Sequence, residues 1–275
     1  MTRKSESDEE NSLLFPPPDP PAGSRQRRLG ARARARLSRG LFILPTLFTV
    51  GNLFCGYLSV WSSIRGTFQT AAILIIAAAV LDMLDGRIAR LTNSTSRFGE
   101  EYDSLADLVS FGIAPAVLAY SWGLADFHRL GWMASFLFVV CGSMRLARFN
   151  IQTRVTDKKY FIGLPIPAAA GTIATLVLAT PERLVSRFWM AGLLALTVVL
   201  SYLMISTLRY RSFKDLDLRR QRRAWILPVI ALVFAVIAYR PAVTLLALAL
   251  LYAASGPVAR ALSFVRERGG KSKAA

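Results

Sequence analysis

At 275 residues, with 53% hydrophobic side chains and a mean hydropathy of +0.41, the chain is too apolar for an ordinary soluble core. The formal net charge of +17 raises nucleic-acid binding, but the basic residues lie between apolar blocks instead of forming one stripe, which argues against it. Cys55 and Cys141 both fall inside apolar blocks and far apart in sequence, which excludes a disulfide framework and a cysteine-based zinc site.

Residues 1–24 are polar and acidic and then proline-rich, a composition that cannot bury enough apolar area to fold alone, and they are expected to form a disordered tail. Residues 25–40 carry seven arginines among Leu and Ala. This basic juxtamembrane segment is suited to an anionic membrane surface or to a positive-inside anchor. So long an Arg-rich approach is unlike a signal peptide, and none is expected before the first span.

A bilayer-spanning helix needs about 20 largely apolar residues. Eight blocks come close to it: 41–64, 68–87, 101–122, 130–147, 163–180, 187–207, 224–239 and 241–260. The predicted fold is therefore all-α, a polytopic transmembrane helix bundle with a six-helix core over 41–210. A basic loop and two extra helices follow over 211–262, and a basic tail over 263–275. With a cytoplasmic N-terminus, eight spans put Arg65, Arg129, Arg183, Arg187 and Arg240 at or near the far side, which leaves 29 of the 34 Lys and Arg residues on the cytoplasmic side. That asymmetry follows the positive-inside rule, and the opposite topology inverts it.

The first span holds Pro45, Thr49, Gly51, Asn52 and Gly56, too many small and polar residues for a plain lipid-facing helix. The second runs through 71–81 and then meets Asp82 and Asp85 before leaving the helical pattern; after a polar connection over 91–100, the third begins with Asp103 and Asp107. Charged groups inside a span are costly and are retained mostly for function. Spacings of i, i+3 and i, i+4 put each pair on one helix face, and a short connection lets the two faces converge. Four clustered negative charges repel strongly at low dielectric, and oxygen-ligated Mg²⁺ or Mn²⁺ is the usual way to neutralise them. Gly86, Ala89 and Gly99 leave room beside the carboxylates, while Arg87, Arg90 and Arg97 surround them with side chains suited to phosphate. Together these point to a diphosphate ligand at a membrane surface.

Written out, the segment is Asp82-x2-Asp85-Gly86-x2-Ala89-Arg90-x8-Gly99-x3-Asp103-x3-Asp107. It resembles, without a gap, the signature of the CDP-alcohol phosphatidyltransferase family. Eight fixed positions at ordinary residue frequencies give a chance match on the order of one in 10⁹ per start site.

The resemblance implies a six-helix core, often homodimeric, with its site open to the cytoplasmic leaflet of a bacterial inner membrane. It implies Asp82, Asp85 and Asp103 as metal ligands, with Asp107 both a ligand and the general base, around two Mg²⁺ or Mn²⁺ ions. Gly86 and Arg90 would contact the CDP-lipid, joined by Ser96, and by Thr49, Asn52, Ala89 and Gly99 around them. Stretches 44–56, 103–115, 145–150, 161–167 and 209–214 are similar to the bacterial members whose acceptor is L-serine, so the resemblance covers roughly residues 40–215. The implied reaction moves the phosphatidyl group of CDP-diacylglycerol to the serine hydroxyl and releases CMP. One departure is Thr46, where asparagine is expected. Arg145 and Arg148, i, i+3 at the end of the fourth span, are suited to hold the acceptor's carboxylate. The same signature also serves glycerol 3-phosphate or inositol phosphate as acceptor. A transporter using the aspartates as an ion path would be expected to show internal repeats with broken helices, whereas the chain has one acidic cluster.

Overall fold

A computed structural model describes residues 46–91, 96–153, 160–211 and 239–271. The expected N-terminal tail, the basic segment 25–40, the loop after residue 211 and the predicted span 224–239 (Tyr239 apart) lie outside the described residues. The others of the eight predicted blocks are present as helices.

Helix α1 (Thr46–Ile64) turns tightly into α2 (Phe68–Leu91), and the Ser59 hydroxyl ties the pair together by donating to the Ala71 carbonyl at 2.9 Å. A long helical rod follows. It begins as α3 (Arg97–Asp107), widens into a π-helical segment (Leu108–Ile113), tightens again as α4 (Ala114–Ala119), and ends in a second π-helical segment (Tyr120–Leu124) and a short 3₁₀ turn. Pro115 gives the first widening a cause: it has no N–H to return to the preceding turn, and the bond that closes the segment runs instead from Ala114 N–H to Val109 O. Helix α5 (Arg129–Thr153), strand β1 (Tyr160–Ile162), α6 (Ile166–Ala179), α7 (Arg187–Ile205), strand β2 (Arg209–Arg211) and α8 (Pro241–Lys271) complete the chain.

Among the described residues, five helical stretches are long and apolar enough to cross a membrane: Thr46–Ile64, Phe98–Phe127, Arg129–Ile151, Arg187–Ile205 and Pro241–Ala261. They expose large apolar side chains such as Phe54, Trp61, Phe136, Phe188 and Leu251, a surface that only lipid or further protein would cover. The protein is a membrane protein. The block at 163–180 differs from expectation, since α6 has only 14 residues. It packs against α2, α4, α5, α7, α8 and the first π segment, and Ile166, Ala169, Ala170, Ile173, Ala174 and Val177 are all buried. The helix is apolar because it is the middle of the bundle, and alanines on several faces let its neighbours approach.

The short β pair was not foreseen in a chain read as all helix. Tyr160 pairs with Arg211, Phe161 with Tyr210 and Ile162 with Arg209, in antiparallel register, so two stretches separated by about fifty residues meet in one ribbon. Gly163 follows β1 at φ +81°, where a Cβ would lie 2.4 Å from the Met204 carbonyl oxygen, so only glycine fits.

The ribbon also anchors α8. Pro257 lies inside that helix and has no N–H to give to the carbonyl four residues earlier, that of Ala253. Tyr210 of β2 supplies the missing donor, its hydroxyl reaching Ala253 O at 3.1 Å. Burial, with the Tyr252 phenol nearby, pushes the Tyr210 phenol up to about 12, so it remains a donor at any physiological pH. The last helix continues to Lys271, past the expected boundary at 262.

At one end of the bundle Arg183 pairs with Asp126 at 3.0 Å, and the Trp122 indole donates to Glu182 O at 2.7 Å, which brings the loops around 126 and 183 together. The carboxylates of the candidate site stand at the ends of α2 and α3 away from these loops.

Candidate active site

The last turns of α2 carry Asp82 and Asp85, and the second half of α3 carries Asp103 and Asp107. One carboxylate oxygen from each of Asp82, Asp85 and Asp103 lies within 4.8 Å of the others. Asp107, one turn along α3 from Asp103, faces the same cluster and interacts with Asp82. Two helices and two spacings therefore make one site, as the pattern of residues requires.

Helix α1 fixes two of the four. Thr49 Oγ1 donates to Asp85 Oδ2 at 3.1 Å, and Asn52 Nδ2 donates to Asp107 Oδ1 at 3.2 Å. Asn52 is fully buried, and its own carbonyl accepts from Ser110 Oγ at 2.9 Å, inside the π segment that follows Asp107. The wide turn thus brings a hydroxyl to α1 directly beside the carboxylate α1 orients. A polar first span is explained by this: its Thr and Asn are hydrogen-bond donors to acids on two other helices.

Two oxygens in the cluster are left over. Asp103 Oδ1 and Asn52 Oδ1 are buried and have no hydrogen-bond partner among the described residues. A buried carboxylate oxygen without a donor is costly unless a cation meets it. The carboxylates form an all-oxygen donor set, which suits a hard divalent ion. The residues present fit such a metal.

The remaining sequence candidates fall into three groups. Gly86 sits half-buried next to Asp85 on α2, while the side chains of Ala89, Arg90 and Arg97 lie outside the described residues. Ser96 is the N-cap of α3: its side chain accepts from Gly99 N–H at 3.0 Å. A Cβ at Gly99 would lie 3.1 Å from Ser96 Oγ, so this glycine also makes room for the cap. Arg145 and Arg148 separate. Arg145 is 8% exposed and within electrostatic reach of Asp107, its guanidinium 5.1 Å from the Phe149 ring centroid. Arg148 instead donates to the Ile205 carbonyl at 3.0 Å and ties α5 to the C-terminal end of α7.

Sequence reasoning missed three contributors. Asn150 Nδ2 donates to Ser104 Oγ at 2.9 Å, linking α5 to the face of α3 next to Asp103. Ser110 was read only as part of a similar stretch. Tyr252 of α8 comes within electrostatic reach of Arg145. No spacing rule connects residues 145 and 252, and the only local signal was the Gly256-Pro257 break in an apolar helix.

Residues 42–203 match the CDP-alcohol phosphatidyltransferase family. The chain belongs to this family. It is 41% identical over 199 residues to the CDP-diacylglycerol--serine O-phosphatidyltransferase of Helicobacter pylori, covering 70% of this chain and 82% of that protein. The Bacillus subtilis protein of the same name is 37% identical over 172 residues, 62% of this chain and 91% of its own length. The archaetidylserine synthase of Methanothermobacter thermautotrophicus is 41% identical over 170 residues, 61% and 69% of the two chains. Catalysis in this family depends on a divalent metal, and the acidic cluster has the donor atoms to hold one. The matched region ends within α7, so β2 and α8 lie beyond it.

Proposed function

We propose that the protein transfers the phosphatidyl group of CDP-diacylglycerol to the hydroxyl of L-serine, giving phosphatidylserine and CMP. The observation that carries this reading is the convergence of Asp82, Asp85 and Asp103 from α2 and α3 on one point, with Asp107 one turn along α3. Relatives named for a serine acceptor support the choice of alcohol.

Asp82, Asp85, Asp103 and Asp107 would hold the metal, as two Mg²⁺ or Mn²⁺ ions in this reading. The bound cations would supply Lewis-acid neutralisation of the diphosphate. Asp107 is also the base. A serine hydroxyl is a weak nucleophile until a carboxylate within about 2.6–3.2 Å accepts its proton. Asn52 holds one Asp107 oxygen at 3.2 Å, which leaves the other to face the acceptor. As the proton passes to Asp107, the serine oxygen bonds to the lipid-side phosphorus. The bond from that phosphorus to the bridging oxygen breaks, and CMP leaves with that oxygen.

Arg145 binds the serine carboxylate beside the base, and its burial strengthens that attraction relative to a surface arginine. Arg148 joins it in this role, in addition to the bond it donates to the Ile205 carbonyl. Gly86 and Arg90 contact the CDP-lipid, with Thr49, Asn52, Asp82, Ala89, Ser96 and Gly99 shaping the same wall; for Thr49, Asn52 and Ser96 this contact comes in addition to the hydrogen bonds they make within the protein. The site opens to the cytoplasmic leaflet of a bacterial inner membrane, the N-terminus lies on the same side, and the protein works as a homodimer. In this reading residues 41–210 are the catalytic core.

The test is CMP release by the purified protein from CDP-diacylglycerol with Mn²⁺ or Mg²⁺, offering L-serine, glycerol 3-phosphate and myo-inositol phosphate in turn, beside Asp107→Asn. Release with serine alone, abolished in the variant, is the expected result. Release with another acceptor moves the name and keeps the chemistry, and no turnover with any acceptor in folded, metal-loaded protein overturns the reading.

A further inference from the structure

Two of the four aspartates are held from α1, Asp85 by Thr49 and Asp107 by Asn52. For Asp103 the tie lies one residue on, at Ser104. Its Oγ accepts from Asn150 Nδ2 of α5 at 2.9 Å and donates to the Glu100 carbonyl at 3.0 Å, so one hydroxyl fastens a turn of α3 to the end of α5. The bond crosses a gap. Helix α5 packs against the π segment, but beside α3 the two helices flank a groove of about 260 Å³ whose apolar walls are Leu105, Leu108, Leu146 and Ala147. Asn150 and Ser104 line the same groove and bridge it.

Consecutive residues of an α-helix stand about 100° apart around its axis, so fixing the direction of Ser104 also fixes that of Asp103. A helix tied from one side only can roll. Asn52 holds Asp107 from α1, and Asn150 holds Ser104 from α5, so two ties to two different helices, one turn apart, set the roll of α3. The cluster depends on that roll, since the Asp103 oxygen must stay within 4.8 Å of those from Asp82 and Asp85 on α2. We infer that Asn150 is a positioning residue of the metal site: through Ser104 it fixes the roll of α3 that keeps Asp103 in the cluster, so the end of α5 contributes to the affinity for the divalent ion. The inference rests on the reading of the acidic cluster as the metal site.

The test uses the full chain in detergent and reads Mn²⁺ binding directly, from the electron paramagnetic resonance signal of the free ion. The melting temperature without metal and kcat as a function of Mn²⁺ are measured beside it. Asn150→Ala, Ser104→Ala, the double variant and Ser104→Thr are compared with the parent, and Asp103→Asn serves as the control. Asn150→Ala and Ser104→Ala are each expected to weaken Mn²⁺ binding about fivefold, the scale of one hydrogen bond. The double variant should add little, because both changes remove the same contact. Ser104→Thr keeps the hydroxyl and should bind Mn²⁺ within about twofold of the parent. In Asn150→Ala, kcat should fall at limiting Mn²⁺ and return when the ion is saturating. Parental Mn²⁺ affinity in Asn150→Ala, beside weakened binding in Asp103→Asn, overturns the inference and leaves the metal site in place, whether or not the melting temperature falls. If Asn150→Ala does not fold, Ser104→Ala decides the same question from the other helix. Additive losses in the double variant overturn the inference as well. Unchanged binding in Asp103→Asn overturns the reading beneath it.

Discussion

Asn52 donates its side-chain Nδ2 to Asp107 Oδ1 at 3.2 Å, across the interface between the first helix and the helix that carries the base. A carboxylate only accepts, so the amide nitrogen must face it, and the amide oxygen is turned away without a partner. Removing the amide frees Asp107 to rotate. A hydrogen bond to a charged group is worth about 1.5–3 kcal/mol. If that is expressed in the transition state, Asn52→Ala lowers kcat by roughly 10- to 100-fold. The serine KM should change far less than kcat, as steady-state CMP release at varied serine will show; a loss confined to KM would mean that the amide binds substrate only.

Metal binding can be read without turnover. An ion that binds only the folded state stabilises it by about 2.7 kcal/mol at a concentration one hundred times its Kd. Titrating Mn²⁺ into the purified protein should therefore raise the melting temperature, and a chelator should reverse the rise. Asp103→Asn removes a charge from a carboxylate whose Oδ1 has no partner among the described residues, and it should lower the metal-induced shift by at least half. An unchanged shift in this variant would place the ion elsewhere.

The site was legible because its chemistry is local in sequence. Asp82, Asp85, Asp103 and Asp107 sit within 26 residues, and helical periodicity alone puts each pair on a face. The polar residues of the first span were flagged as interior-facing, but their partners were not, since nothing in Thr49 or Asn52 names the acid it will meet. The bundle was legible for the same reason as the site: apolar blocks of spanning length announce helices. What stayed hidden depends on long-range contact. The β pair joins residues 160–162 to 209–211, each too short to leave a period, and the block at 163–180 reads as a span although the helix it forms is a short one enclosed on all sides. The i, i+3 spacing of Arg145 and Arg148 likewise cannot say that Arg148 donates to a carbonyl at the end of α7.

Ser96 offers a direct separation of capping from substrate contact. Loss of an N-cap costs about 1 kcal/mol, and aspartate caps as well as serine does. Ser96→Ala should lower the melting temperature, and Ser96→Asp should restore it. A rise in the CDP-diacylglycerol KM shared by both variants, whatever their stability, would show that the hydroxyl also touches the lipid substrate.

Gly163 is held by two independent constraints, a left-handed φ of +81° and a carbonyl oxygen 2.4 Å from where a Cβ would sit. Gly163→Ala must displace the backbone at the start of the central helix α6. Strain of this kind costs about 1–3 kcal/mol before the clash is added. The expected outcome in a detergent thermal-melt series is one of the largest losses among single small substitutions; near-parental stability would show that the ribbon is free to shift.

The bond from Tyr210 to Ala253 makes a prediction that a simple packing role does not. Tyr210→Phe keeps the ring against Gly256 and strips the donor from a carbonyl that Pro257 has already deprived of its helix partner. A buried carbonyl left unsatisfied costs about 1–3 kcal/mol, so the variant should melt well below the parent. Pro257→Ala restores an N–H at the position that normally serves residue 253. Placed on top of Tyr210→Phe, it should therefore recover much of the lost stability, whereas on the parent it has no orphan to rescue. Non-additivity of that sign, measured as a double-mutant cycle of melting temperatures, is the signature of a shared carbonyl. Strictly additive effects would mean that Tyr210 stabilises the helix through its ring alone, and that Pro257 leaves nothing behind that a neighbouring hydroxyl must satisfy.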